Sequence, residues 1–415
     1  MNTEREALLQ AIERDRDRIL DFYRGFIRAK SPNPPGDTRA AAAHIGKLLG
    51  EESLAYRTIA PQSEMPNIVA AFDCAGAGRH LVLNGHIDVF PVGDAAGWTK
   101  DPWGAELVEG KIYGRGACDM KAGTSASIFT YIYLSRIRDR LKGKLTLTCV
   151  SDEETFGPWG ARYLIEHHPE VHGDCLLNGE PSGLGTIRFG EKGPLWLLFT
   201  IRTAGAHGAY THFSASATKI AGRLIAGLDA VGRIVSKAPD NVVRALDAAV
   251  PAVDAAMGKG ASAIVQQVTL NIGVVAGGLK VNMIPGECRI EADVRLPLGV
   301  EKDEVMREVR RIAAAFPEVT VEEINYSAPS WCDPYGEMVE ILSANAKAVT
   351  GATPVPIVSL GGTDARLWRY KGVPAYVYGP PPSGMGSTDE HVKVEDFFQV
   401  VQTHLLSAYD YLSRG

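Results

Sequence analysis

At 415 residues with 45% hydrophobic and 22% charged residues, the chain exceeds one comfortable core and has ordinary globular composition, so two structural units are expected. A formal net charge of -6 gives no basic footprint for nucleic acid, and the expected partners are small molecules. Cys74, Cys118, Cys149, Cys175, Cys288 and Cys332 lack the paired spacings of a zinc or disulfide framework; with no apolar leader and no run of ~18 apolar residues, the expected place is the cytoplasm.

Residues 3–30 carry Leu9, Ile12, Ile19, Tyr23 and Phe26 at roughly helical period and predict one amphipathic helix, ended by Ser31-Pro-Asn-Pro-Pro-Gly36. Short apolar runs then alternate with helical patterns. His80–Asn84, Lys144–Ser151 and Asp174–Asn178 predict strands, and Lys121–Leu141 predicts a helix; this is α/β grammar with largely buried strands. Near Gly193 the pattern changes. A strand over Leu195–Thr203 leads to a helix with Ile220, Leu224, Leu228 and Val231. Strands over Ser262–Val275 and Val281–Leu296 follow, then a helix with Val305, Val309, Ile312 and Phe316 and a strand over Val319–Ile324. The order is βαββαβ. From about Tyr326 the α/β pattern resumes and ends in a helix carrying Phe397, Val401, Leu405 and Leu412. The expected division is a discontinuous unit of 1–193 and 326–415 with a unit of 194–325 inserted.

Four segments can carry chemistry. Asn84-Gly-His86-Ile-Asp88 sits where a strand should end, the usual place for a ligand in an α/β sheet; His86 with Asp88 suits a metal ligand and its orienting partner, or a turn histidine with a capping aspartate. Gly114-Arg-Gly-Ala-Cys-Asp119-Met-Lys-Ala-Gly123 delivers Asp119 to a helix start, where an anion is favoured; a plain helix cap has the same pattern. Ser151-Asp-Glu153-Glu154 offers two acids, one to bind metal and one to accept a proton from water, or a solvated acidic turn. Asn178-Gly-Glu180-Pro adds a further carboxylate at a strand end. Together they point to divalent metal, with zinc, manganese or cobalt all suiting the donors.

In order and spacing these motifs resemble the amidohydrolase and metallopeptidase family of acetylornithine deacetylase, succinyl-diaminopimelate desuccinylase, aminoacylase and glutamate carboxypeptidase, across nearly the whole chain. The resemblance implies an α/β fold with a zinc-peptidase-like catalytic domain, a mixed sheet and flanking helices, plus an inserted ferredoxin-like βαββαβ lid domain through which the chain forms a homodimer. It implies that His86 and Glu180 bind one metal, Glu154 a second, and Asp119 both, with Glu153 as general base and Asp88 orienting His86. Gly205-Ala-His207 resembles the segment whose histidine reaches across the dimer to polarise the scissile carbonyl; a structural histidine is the other reading. Asn282-Met-Ile-Pro-Gly and Asp293-Val-Arg295 imply substrate contacts at Asn282 and Arg295, the latter a fork suited to a carboxylate; a surface ion pair is the other reading of Arg295. Gly361-Gly-Thr-Asp364 resembles a substrate-side loop.

The sequence departs from the family at Gly386-Ser-Thr-Asp-Glu390, where the family places a metal-binding histidine at the position of Gly386. His391 is then a possible replacement ligand, and one or two metals per chain are expected. The implied function is hydrolysis of an amide-type C–N bond in a small carboxylate such as an N-acyl amino acid. Alternatives are a dipeptidase, a one-metal deaminase of an aromatic amino acid such as a nitroanthranilate, and a catalytically silent metal- or ligand-binding protein.

Overall fold

The computed structural model describes residues 3–414. The chain divides into two compact units, one of Met1–Phe189, Cys332–Ile357 and Thr363–Gly415, the other of Gly190–Trp331 with Val358–Gly362.

In the first unit the sheet runs, from its edge inward, through Arg57–Ile59, Asn67–Asp73, Lys142–Val150, Gly76–His86, Cys175–Asn178 and Ala375–Val377. The last four of these strands are mutually parallel, while Asn67–Asp73 is antiparallel to Lys142–Val150. Parallel strands need both faces covered, which is why Leu81, Val82 and Leu83 form a continuous apolar run and why Thr146 and Thr148 are buried along with Leu145 and Leu147. One cover contains Leu164, Ile165 and Trp368 packed with Val82, Val150, Leu176 and Val377. Elsewhere the C-terminal helix Val394–Ser413 packs against Ala122–Ser135 and Glu337–Thr350. His86, Val150 and Asn178 thus close three parallel strands whose next residues supply the acidic turns.

The second unit is an antiparallel four-stranded sheet with the order Thr269–Gly277, Glu287–Leu296, Gly193–Arg202, Val319–Tyr326. Helices Ala217–Leu228 and Lys302–Ala313 bury Ile220, Leu224, Val305 and Val309 against Leu197, Phe199, Ile290 and Val294. This is the βαββαβ order expected from the periodicities.

Three elements differ from expectation. The first helix is two, Thr3–Arg14 and Arg16–Arg28, broken at Asp15. The predicted helix 121–141 stops at Ser135, and Leu141 instead leads into a strand. The first half of the predicted strand from Ser262 is absent, because Ala261–Val265 is a helix and the strand begins at Thr269; ahead of it Asp240–Ala248 and Val250–Met257 are helices as well. Short apolar runs of this kind do not separate helix from strand by periodicity alone.

Candidate metal centre and active site

His86 ends its strand with Nδ1 2.9 Å from the backbone carbonyl of Asp88. A carbonyl only accepts, so Nδ1 carries a proton and, in the neutral ring, the Nε2 lone pair is free to bind a cation. Nε2 lies 3.1 Å from Asp119 Oδ1 and 3.3 Å from Glu180 Oε1. The ligand atoms of His86, Asp119 and Glu180 all fall within 4.8 Å of one another.

Asp119 and Glu180 are held there by their neighbours. Asp119 lies in a tight turn with extended dihedrals, φ -115° and ψ 98°, just ahead of the helix that begins at Ala122. Glu390 fixes this turn by accepting the N–H groups of Cys118 and Asp119 at 3.0 and 3.2 Å, and is itself paired with Arg115 at 2.6 Å. Glu180 is placed by an amide ladder: its N–H donates to Asn178 Oδ1 at 2.8 Å, and Asn178 Nδ2 to Asn84 Oδ1 at 2.9 Å. The helix packed against this turn requires glycine at 123, since a Cβ there would lie 1.9 Å from the Gly179 carbonyl oxygen.

The Glu153-Glu154 pair is set by Asp88. Its carboxylate accepts the N–H groups of Glu153 at 3.3 Å and Glu154 at 3.1 Å, and is 3.5 Å from His86 Nδ1. Asp88 therefore orients His86 chiefly through its carbonyl, and spends its side chain on the acidic turn. Asn33 Nδ2 bridges Asp88 at 2.9 Å and Asp152 at 3.2 Å. Asp152, at φ +65°, also accepts Thr155 Oγ1 and the Trp159 N–H.

The charges in this cluster are poorly balanced without a cation. Burial pushes Glu180 up to about 7, Asp119 adding to the effect and His86 opposing it. Burial likewise holds Glu153 and Glu154 well above the carboxylate range; His86 opposes this, while Asp364 and Glu180 reinforce it at Glu153 and Asp119 at Glu154. At His86, burial favours the neutral ring, but Glu180, Asp119 and Asp88 outweigh it and raise its pKa well above the usual value. Burial would also raise Asp88, yet its bond to His86 and the Asn33 donor keep it below the ordinary value. Acids crowded around one imidazole nitrogen, with Glu153 Oε1 and Glu154 Oε1 sealed and lacking hydrogen bonds, fit a divalent cation, whose charge would relieve them.

Residues 82–409 match the model of peptidase family M20/M25/M40. The chain belongs to this family. Among its relatives, the succinyl-diaminopimelate desuccinylase of Cereibacter sphaeroides is 30% identical over 380 residues, 89% of this chain and 92% of that one. In fold, the chain is similar to the M20 family metallo-carboxypeptidase Sso-CP2 of Sulfolobus solfataricus, with a TM-score of 0.79 and 18% identity over 95% of this chain and 99% of that one. It is equally similar to the dipeptidase Dug1p of Saccharomyces cerevisiae, with a TM-score of 0.79 and 17% identity over the full length of both. Family and donor set together make this M20/M25/M40 protein a metal-dependent hydrolase of amide-type C–N bonds.

Glu154 and His391 lie outside the close group of three. Glu154 is near enough to Asp119 to feel its charge. His391 pairs in a strand with Tyr113, packs on that ring at 5.0 Å and directs Nδ1 to the Asp389 carbonyl. Gly386 has φ +69°, and a Cβ there would meet nothing within 4 Å. In the second unit, His207 is exposed and accepts the Ala209 N–H on Nδ1 at 3.2 Å, which puts the proton of the neutral ring on Nε2. Asn282 is exposed, and Arg295 pairs with Asp293 at 2.9 Å. Among the described residues no helix is long and apolar enough to cross a membrane.

Sequence reading missed Asn33, Arg115, Asp152 and Arg366. The first sat in a proline-rich segment read only as a helix stop, and none of the four has a local spacing that signals its distant partner.

Proposed function

We propose that the protein cleaves the amide-type C–N bond of an N-acyl amino acid or a related small carboxylate, as a deacylase or carboxypeptidase. The observation that carries this is the His86–Asp119–Glu180 group beside the buried Glu153; the desuccinylase relatives support the acyl-amino-acid class. One cation is held tightly by His86, Asp119 and Glu180, and a second more weakly by Asp119 and Glu154. A bound divalent cation supplies Lewis acidity, polarising the carbonyl and lowering the pKa of water to roughly 7.

Glu153 accepts the proton of the attacking water and passes it to the amine as the C–N bond breaks. Asp88 holds His86 by its carbonyl and the base by its carboxylate. His207, reaching across the dimer with its ring proton on Nε2, donates to the carbonyl oxygen, a contribution of roughly 3–4 kcal/mol for one good donor. Asn282 and Arg295 contact the substrate carboxylate, and the protein works as a cytoplasmic homodimer joined through the second unit; the motifs support these roles. Glycine at position 386 favours a second reading, a one-cation aminohydrolase that releases ammonia from an aromatic amino acid.

A panel of N-acyl amino acids, dipeptides and aromatic amino acids separates these readings. The first expects free amino acid from the acylated members, cut by Glu153→Gln to a small residual rate with metal content unchanged. Ammonia from the aromatic members alone would establish the second, and unchanged turnover in Glu153→Gln would remove the base.

A further inference from the structure

Arg366 follows Gly361-Gly-Thr-Asp364 on the short helix Ala365–Tyr370 and is 2% exposed. A guanidinium keeps its charge when buried and needs acceptors for five N–H groups. Nη1 donates to the Thr363 carbonyl, while Nε has no hydrogen-bond partner among the described residues. The same Nη1 is 3.7 Å from Glu153 Oε1, an oxygen sealed from solvent and equally without a hydrogen bond. The guanidinium carbon also lies 4.7 Å from the centroid of the Phe156 ring, a cation–π distance. Phe156 N–H donates to the Glu153 carbonyl at 2.7 Å. One cation therefore grips both ends of a single turn, the carboxylate that begins it and the ring three residues on.

Arg366 thus sets its charge at ion-pair distance from a carboxylate oxygen that has no hydrogen bond of its own. We propose that Arg366 is a positioning residue for the hydrolytic reaction: it pins Glu153 Oε1 against the wall of the site and turns Oε2 toward the attacking water. The proposal rests on the reading of Glu153 as the base. A general base must sit within hydrogen-bond reach of the proton it takes, and a misplacement of about 1 Å can cost roughly 10²-fold in rate.

The test is a double-mutant cycle in the metal-loaded enzyme on an N-acyl amino acid that it hydrolyses. Arg366→Ala is expected to lower kcat about 10²-fold with KM and metal content unchanged. Arg366→Lys retains more activity, and added guanidinium at sub-denaturing concentration restores part of the loss in Arg366→Ala. In a Glu153→Gln background, removing Arg366 adds little further loss, because the two act as one unit. Wild-type kcat in metal-loaded Arg366→Ala, a full second loss in the Glu153→Gln background, or no rescue by guanidinium overturns the proposal. If Arg366→Ala does not fold, Arg366→Lys and Arg366→Gln carry the same cycle. Unchanged turnover in Glu153→Gln alone overturns the base, whereas a Glu153→Gln cut to a small residual rate beside a fully active Arg366→Ala overturns only the role of Arg366.

Discussion

The two ends of the acidic cluster are delivered by the same device, a tight turn next to a strand end, and they finish with unequal equipment. At one end His86 brings a nitrogen whose direction is fixed by the Asp88 carbonyl, and Asp119 and Glu180 are each held by their own hydrogen-bond network. At the other end, among the described residues, Glu154 joins no group of metal-ligating side chains, Gly386 carries no side chain and His391 packs on Tyr113. Imidazole raises affinity for zinc-like metals, whereas carboxylates alone suit harder cations. The same family frame can therefore hold one cation firmly and leave its neighbour to the supply of metal.

Removing the nitrogen at the firm end breaks this contrast most severely. His86→Ala is expected to lose the tight cation and about 10³-fold or more in kcat, read by metal content after dialysis and by initial rates. Adding a nitrogen at the poor end is the converse experiment. Gly386→His should raise metal content from one to two per chain and tighten the second site about 10–100-fold; its left-handed backbone costs about 1–2 kcal/mol, so thermal unfolding is followed alongside metal content.

Acidity sharpens the comparison at the firm end. Glu180 must be ionised to ligate, and in the metal-free protein its proton is held up to about 7. Below that pH the cation must displace the proton, so apparent affinity falls about tenfold per pH unit for each proton displaced; above it Glu180 drops out and the proton still displaced is that of His86, whose pKa its acidic neighbours raise well above the usual value against the effect of burial. Calorimetric titration in buffers of different ionisation enthalpy should show proton release per cation that falls by about one between about pH 6 and pH 8 without reaching zero. The smallest effect is expected at His391. Its replacement by alanine should leave metal content unchanged and kcat within about twofold, as for other changes outside a functional group; a lost cation would make it a ligand.

The sequence carried the frame and the chemistry of the ligands to different depths. The proximity of His86, Asp119, Glu153 and Glu180 was legible because each follows a recognisable strand or glycine turn, and the βαββαβ order was legible because its strands and helices have distinct periods. Asn33, Arg115 and Asp152 were not, since they act by hydrogen bonds to partners far away in sequence, and no local pattern encodes such a partner. The helices between Asp240 and Val265 were hidden for a different reason: their alanine- and valine-rich runs are compatible with either period. His391 looked like a substitute for the missing histidine through adjacency alone, but strand pairing fixes where its ring goes.

The most direct measurement is calorimetric titration of the metal-free protein with zinc or manganese, run beside His86→Ala. One tight equivalent in the native chain, absent from the variant, is the expected result. An unchanged tight equivalent in His86→Ala, or no tight binding in either, would contradict the placement of the cation among His86, Asp119 and Glu180.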